Sequence, residues 1–132
     1  YDFGPLALTV TNYTFPDGDG TYSSGGFFDG DLEISASTDI GGLSLMAGYF
    51  PDLETLYVEA GFGLGAVDFA IGFGSDSADA FYVGAGESAI CNVSFGYSKE
   101  IKITDDYSLP LFSSFIFNPK SEAAFIVFGA SF

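Results

Sequence analysis

Leu32-Glu33-Ile34-Ser35-Ala36-Ser37-Thr38-Asp39-Ile40-Gly41-Gly42-Leu43-Ser44-Leu45-Met46-Ala47-Gly48-Tyr49 is where the fold is easiest to read. Leu32, Ile34, Ala36, Thr38 and Ile40 share one parity, and Glu33, Ser35, Ser37 and Asp39 share the other. Successive side chains of a strand point to opposite faces, so the segment predicts a strand with one apolar and one polar face. Gly41-Gly42 is a two-residue hairpin turn, and Leu43, Leu45, Ala47 and Tyr49 then resume the apolar parity. The pattern is a hairpin of antiparallel neighbours.

The same alternation extends both ways along the chain. Leu6, Leu8 and Val10 alternate with Ala7, Thr9 and Thr11 in a first strand. After the stop at Pro51-Asp52, Leu56, Val58, Ala60, Phe62 and Leu64 stand against Tyr57, Glu59, Gly61 and Gly63. Past a tight turn at Gly65-Ala66, Val67, Phe69, Ile71 and Phe73 stand against Asp68, Ala70, Gly72 and Gly74. A sixth strand is expected over Ile90–Thr104 and a seventh over Tyr107–Phe117. The eighth places Ala124, Ile126, Phe128, Ala130 and Phe132 on one parity. Between them, residues 16–30 and 75–89 read as long loops, the second with Phe81-Tyr82-Val83 extending a strand; 41–42, 65–66 and 105–106 read as short turns. Long loops alternating with short turns are the habit of outer-membrane barrels.

Composition narrows the class. The chain has 132 residues, with 16 Phe, 8 Tyr and 18 Gly, a mix that suits a curved sheet with aromatic rings on its outer face and not a helical bundle. No run approaches the roughly 18 to 20 apolar residues of a spanning helix, so a membrane chain of this kind crosses as a closed sheet. Eighteen acids against three lysines give a net charge of −15, with neither Arg nor His; this argues against nucleic-acid binding. The expectation is an all-β, antiparallel, up-and-down transmembrane β-barrel of about eight strands in the bacterial outer membrane, residues 1–132 forming one domain. It stands either as a short barrel or as the carboxy-terminal part of a larger one.

Within that fold each residue acquires a provisional place. Leu32, Ile34, Leu45, Val58, Phe62, Phe69, Ile71, Ile126 and Phe128 are expected to face lipid. Glu33, Asp39, Glu59 and Asp68 are expected to face the lumen, where ionised groups are costly unless paired or hydrated, and bulky Met46, Phe50 and Tyr57 share that side. Phe132, a terminal aromatic on a closing strand, resembles the signal read by barrel-insertion machinery. Asp17, Asp19, Asp29 and Asp31 are weak metal candidates: Asp17-Gly18-Asp19-Gly20 opens like a calcium loop, but the pattern fails at the next ligand positions. Cys91 is single and has no His to pair with, so it reads as a small strand residue and not a nucleophile.

Lys99-Glu100-Ile101-Lys102-Ile103-Thr104-Asp105-Asp106-Tyr107-Ser108-Leu109-Pro110, Phe117-Asn118-Pro119 and the closing Phe125–Phe132 carry a family likeness. From Leu32 onward the chain resembles the carboxy-terminal strands of the TorF-family porin-like outer-membrane proteins of Bacteroidetes. The opening Tyr1-Asp2-Phe3-Gly4 is similar to an interior strand of such proteins, but their aromatic-Arg-Gly segment has no counterpart in a chain without Arg. The resemblance implies an outer-membrane barrel. Three functions compete: a non-enzymatic structural or accessory subunit of an envelope complex, a small-solute or ion porin, and a soluble or fibre-forming β protein that buries its apolar face by assembly. An enzyme is not expected, because the usual general base and oxyanion clamp are missing, and no cofactor is implied. The partners expected are outer-membrane lipid and lipopolysaccharide, the insertion machinery, and another envelope protein for an accessory subunit; no nucleic acid is among them.

Overall fold

Alternation of apolar and polar side chains makes these segments strands, because each can bury or expose one whole face at a time. The computed structural model describes residues 4–13, 30–77 and 81–131, and every structural statement below refers to them. They form β1 (Leu6–Tyr13), β2 (Asp31–Ile40), β3 (Leu43–Phe50), β4 (Thr55–Leu64), β5 (Val67–Asp76), β6 (Ser88–Lys102), β7 (Ser108–Asn118) and β8 (Ala123–Ala130). All eight lie in one sheet whose spatial order is the chain order, each neighbour antiparallel to the last. No described residue is helical.

Register ties the parities of neighbouring strands together. Ile34 faces Tyr49, Leu45 faces Ala60, Ala60 faces Ile71 and Phe69 faces Phe95. Phe95 in turn faces Phe115, and Phe115 faces Ile126, so one convex face runs unbroken from β1 to β8. Leu8, Ile34, Leu45, Val58, Phe62, Phe69, Ile71, Phe115, Ile126 and Phe128 are all exposed on it. The opposite, concave face carries Glu33, Ser35, Glu59, Asp68 and Asp76. A bulge opposite Gly72 and Phe73 inserts Cys91 and switches the outward parity of β6, from Ile90 before it to Val93, Phe95 and Tyr97 after it. The connections at residues 41–42, 65–66 and 103–107 lie at one end of the sheet, the turn end; 51–54, 81–87 and 119–122 lie at the other, the loop end.

Closure departs from expectation. β1 pairs with β2 only and β8 with β7 only, so the described sheet is open along both edges. A sheet curls shut around a shared core, and the buried apolar residues are Phe50, Tyr57 and Cys91, gathered on the concave side of β3 to β6. Toward β8 the concave face changes character: Phe112, Phe125 and Val127 are apolar yet exposed. Segment 81–83 also differs, because it extends no strand and folds back over the concave face instead. β6 starts at Ser88 and ends at Lys102, and β7 runs from Ser108 to Asn118, each shifted slightly from the expected bounds. Residues 16–29 of the expected loop at 16–30, with Asp17, Asp19 and Asp29 among them, and Phe132 lie outside the described residues.

Candidate functional site

Thr55 begins β4 and Asp76 ends β5, and register places them opposite each other at the loop end. Asp76 lies past Phe73, the last apolar residue on the convex face of its strand, and is only 2% exposed. One carboxylate oxygen, Oδ2, accepts four backbone N–H groups, from Phe81 (2.9 Å), Tyr82 (2.8 Å), Val83 (2.8 Å) and Gly84 (3.0 Å). Its other oxygen takes the Thr55 hydroxyl at 3.2 Å. The chain is thereby pinned as a latch, closed further by Asp76 N–H to Glu87 C=O at 3.0 Å.

The latch points two aromatic rings inward. Phe81 lies 4.9 Å from Phe50, and Tyr82 lies 4.9 Å from Tyr57 and 6.4 Å from Phe50. Tyr13 of β1 completes the group, 5.7 Å from Phe50. Gly74 is required for this approach: a Cβ there would fall 2.7 Å from the Tyr82 Cβ and 3.1 Å from the Cys91 Sγ. Gly72 likewise leaves the space that the Tyr57 ring occupies. Burial, and next the charge of Glu33, push the Tyr82 phenol above its usual range, so it stays protonated. The result is an aromatic plug across the concave side of the loop end.

Beneath the plug the acids are met by neutral donors. The Tyr57 hydroxyl donates to Glu59 Oε2, and Asn92 Nδ2 donates to the same oxygen at 2.8 Å and to the Tyr57 oxygen at 3.1 Å. Glu33, buried, takes the Tyr13 hydroxyl at 3.4 Å. Asp39 and Asp68 sit near the turn end of the same face and are exposed. Lysines do not answer these acids: Lys102 pairs with Asp105 at 2.7 Å within its own turn, and Lys120 pairs with Glu87 between two loop-end connections. Asp31 opens β2, and no group of three or more His, Cys, Asp and Glu suited to a metal ion occurs among the described residues.

The residues expected to face lipid therefore share the convex face, and those expected to face the lumen share the concave one. The sequence pattern gives Thr55 and Asn92 no site role and places Asp76 and Tyr82 in the 75–89 loop, although the alternation running on through Ser75-Asp76 marks Asp76 as an inward strand end. Compared with protein-family models, with curated proteins and with solved structures, the chain matches none.

Proposed function

We propose that this chain is a non-enzymatic β-barrel protein of the bacterial outer membrane, a structural or accessory component of an envelope complex whose loop end is plugged. The observation that carries the reading is the division of the sheet by charge. Every carboxylate on a described strand lies on the concave face, while the convex face exposes large apolar side chains on all eight strands. A soluble monomer would present that area to water as one very large apolar patch. Lipid accepts it, and the ten residues of β2, β4 and β5 match the roughly nine to eleven of a tilted spanning strand. The likeness to TorF-family porin-like proteins belongs to the same proposal. The plug of Phe50, Phe81, Tyr82, Tyr57 and Tyr13 favours a filled lumen over an open channel.

Lipid also demands that the edges of β1 and β8 be satisfied, because it offers no partner to a free edge. β1 and β8 run in opposite directions, so they can pair directly, or an even number of further strands can stand between them.

The test is reconstitution of the chain into lipid vesicles. Flotation with the vesicles, protection of the strands from protease and silence in planar-bilayer recordings are expected. Stable single-channel conductance would replace the accessory role by that of a porin. A water-soluble oligomer that ignores vesicles would replace the membrane reading altogether.

A further inference from the structure

Lys99 breaks the rule that charge keeps to the concave face. Register places it opposite Leu111 and in line with Tyr97 and Phe95, so it projects from the convex face, where it is the single charged side chain on the described strands. Its two fellow lysines are engaged by Asp105 and Glu87, whereas Lys99 has no ion pair among the described residues. Beside it lies an apolar groove of about 320 Å³ walled by Tyr97, Leu111 and Phe128 and floored at Ser113, where the short side chain leaves a gap between the larger ones. Val67, the first residue after the 65–66 turn, faces Tyr97, so Lys99 stands one outward step past the end of the β4–β5 hairpin. Among the described strands, β6 and β7 are the ones that continue past it.

An unpaired ammonium is costly at the centre of a lipid-facing surface and nearly free at its boundary, where it reaches headgroups while its stem covers apolar surface. We propose that this groove binds one anionic glycerophospholipid, its phosphate on Lys99 and an acyl chain along Tyr97, Leu111, Ser113 and Phe128. The inference rests on the membrane reading above. Charge complementarity selects the ligand: a chain of net charge −15 repels an anionic surface in general, so attraction is confined to the one place where, among the described residues, a lysine stands without an ion pair. The turn end selects the source. In outer-membrane barrels short turns lie on the periplasmic side, whose leaflet is glycerophospholipid and not lipopolysaccharide.

The experiment reconstitutes the full chain into phosphatidylcholine bilayers containing a minor fraction of phosphatidylglycerol. After extraction in mild detergent, retained lipid is counted by native mass spectrometry. Phosphatidylglycerol should be enriched over phosphatidylcholine. Lys99→Gln should lower the enrichment about five-fold, the effect of one lysine near an anionic surface. Lys99→Arg should restore it, Ser113→Phe should abolish it by filling the groove, and Lys102→Gln should leave it unchanged. Equal retention of both lipids by the wild type, or an equal loss in Lys102→Gln, overturns the site. Full retention in Ser113→Phe, or displacement of the lipid by free glycerol phosphate, overturns the acyl-chain part. A chain that floats with pure phosphatidylcholine vesicles but shows no enrichment removes this proposal alone; one that enters no vesicle removes the membrane reading with it.

Discussion

At the residue scale Asp76 is the most informative side chain, because one carboxylate oxygen organises four consecutive amides. Charge-assisted bonds are about twice as strong as neutral ones, and buried amides left without an acceptor cost about 1–3 kcal/mol each. Asp76→Asn keeps an acceptor and should cost about 1–2 kcal/mol; Asp76→Ala should cost about 3 kcal/mol or more. Amide hydrogen exchange at Phe81–Gly84 is the measurement, with protection reduced in Asn and lost in Ala. Asp76 was hard to recognise beforehand because its partners are backbone groups of another segment, which no side-chain pattern announces. Glu59 was easier, since its parity alone puts it among the inward acids.

At the element scale the strands and turns were legible, and the edges were not. Alternation in Leu32–Ile40 and the Gly41-Gly42 turn announce the β2–β3 hairpin, and the register follows from them. Parity says which face a side chain takes, yet nothing about whether β8 meets β1, because edge pairing depends on how strongly the whole sheet curls. Phe81-Tyr82-Val83 has strand-like composition, but the four bonds to Asp76 hold it as a latch. Cross-linking tests the edge pairing that the proposed barrel requires. With Cys91 replaced by Ser, and Thr9→Cys combined in turn with Phe125→Cys, Val127→Cys or Gly129→Cys, one pair should form an intramolecular disulfide if β1 and β8 of one chain close the barrel. An intermolecular bond would mean that a second copy closes it, and no bond in any pair would mean that β1 and β8 are not neighbours.

Across the whole molecule, charge and apolarity are sorted onto opposite faces of one sheet. That separation could be anticipated from the period alone, since Leu, Ile, Val and Phe alternate with Gly, Ser, Asp and Glu across most strands. It also predicts an asymmetry in mutational tolerance. If the convex face meets lipid as proposed, Ile71→Lys at its middle should destabilise the protein in vesicles by about 2–4 kcal/mol. Its neighbour Ala70→Lys, on the acidic concave face, should cost much less. Urea-unfolding midpoints in vesicles compare the two, and equal losses would contradict the assignment of faces.

The bulge at Gly72 and Phe73 has one more consequence. It tucks the chain's single thiol, Cys91, beside Gly74 and the Tyr82 side chain. The protein thus carries its own stopwatch: a maleimide can react only during moments when the aromatic lid has swung away. Labelling should be slow in the wild type and much faster in Asp76→Ala, so the ratio of the two rates would report how far the Asp76 latch suppresses opening of the loop end.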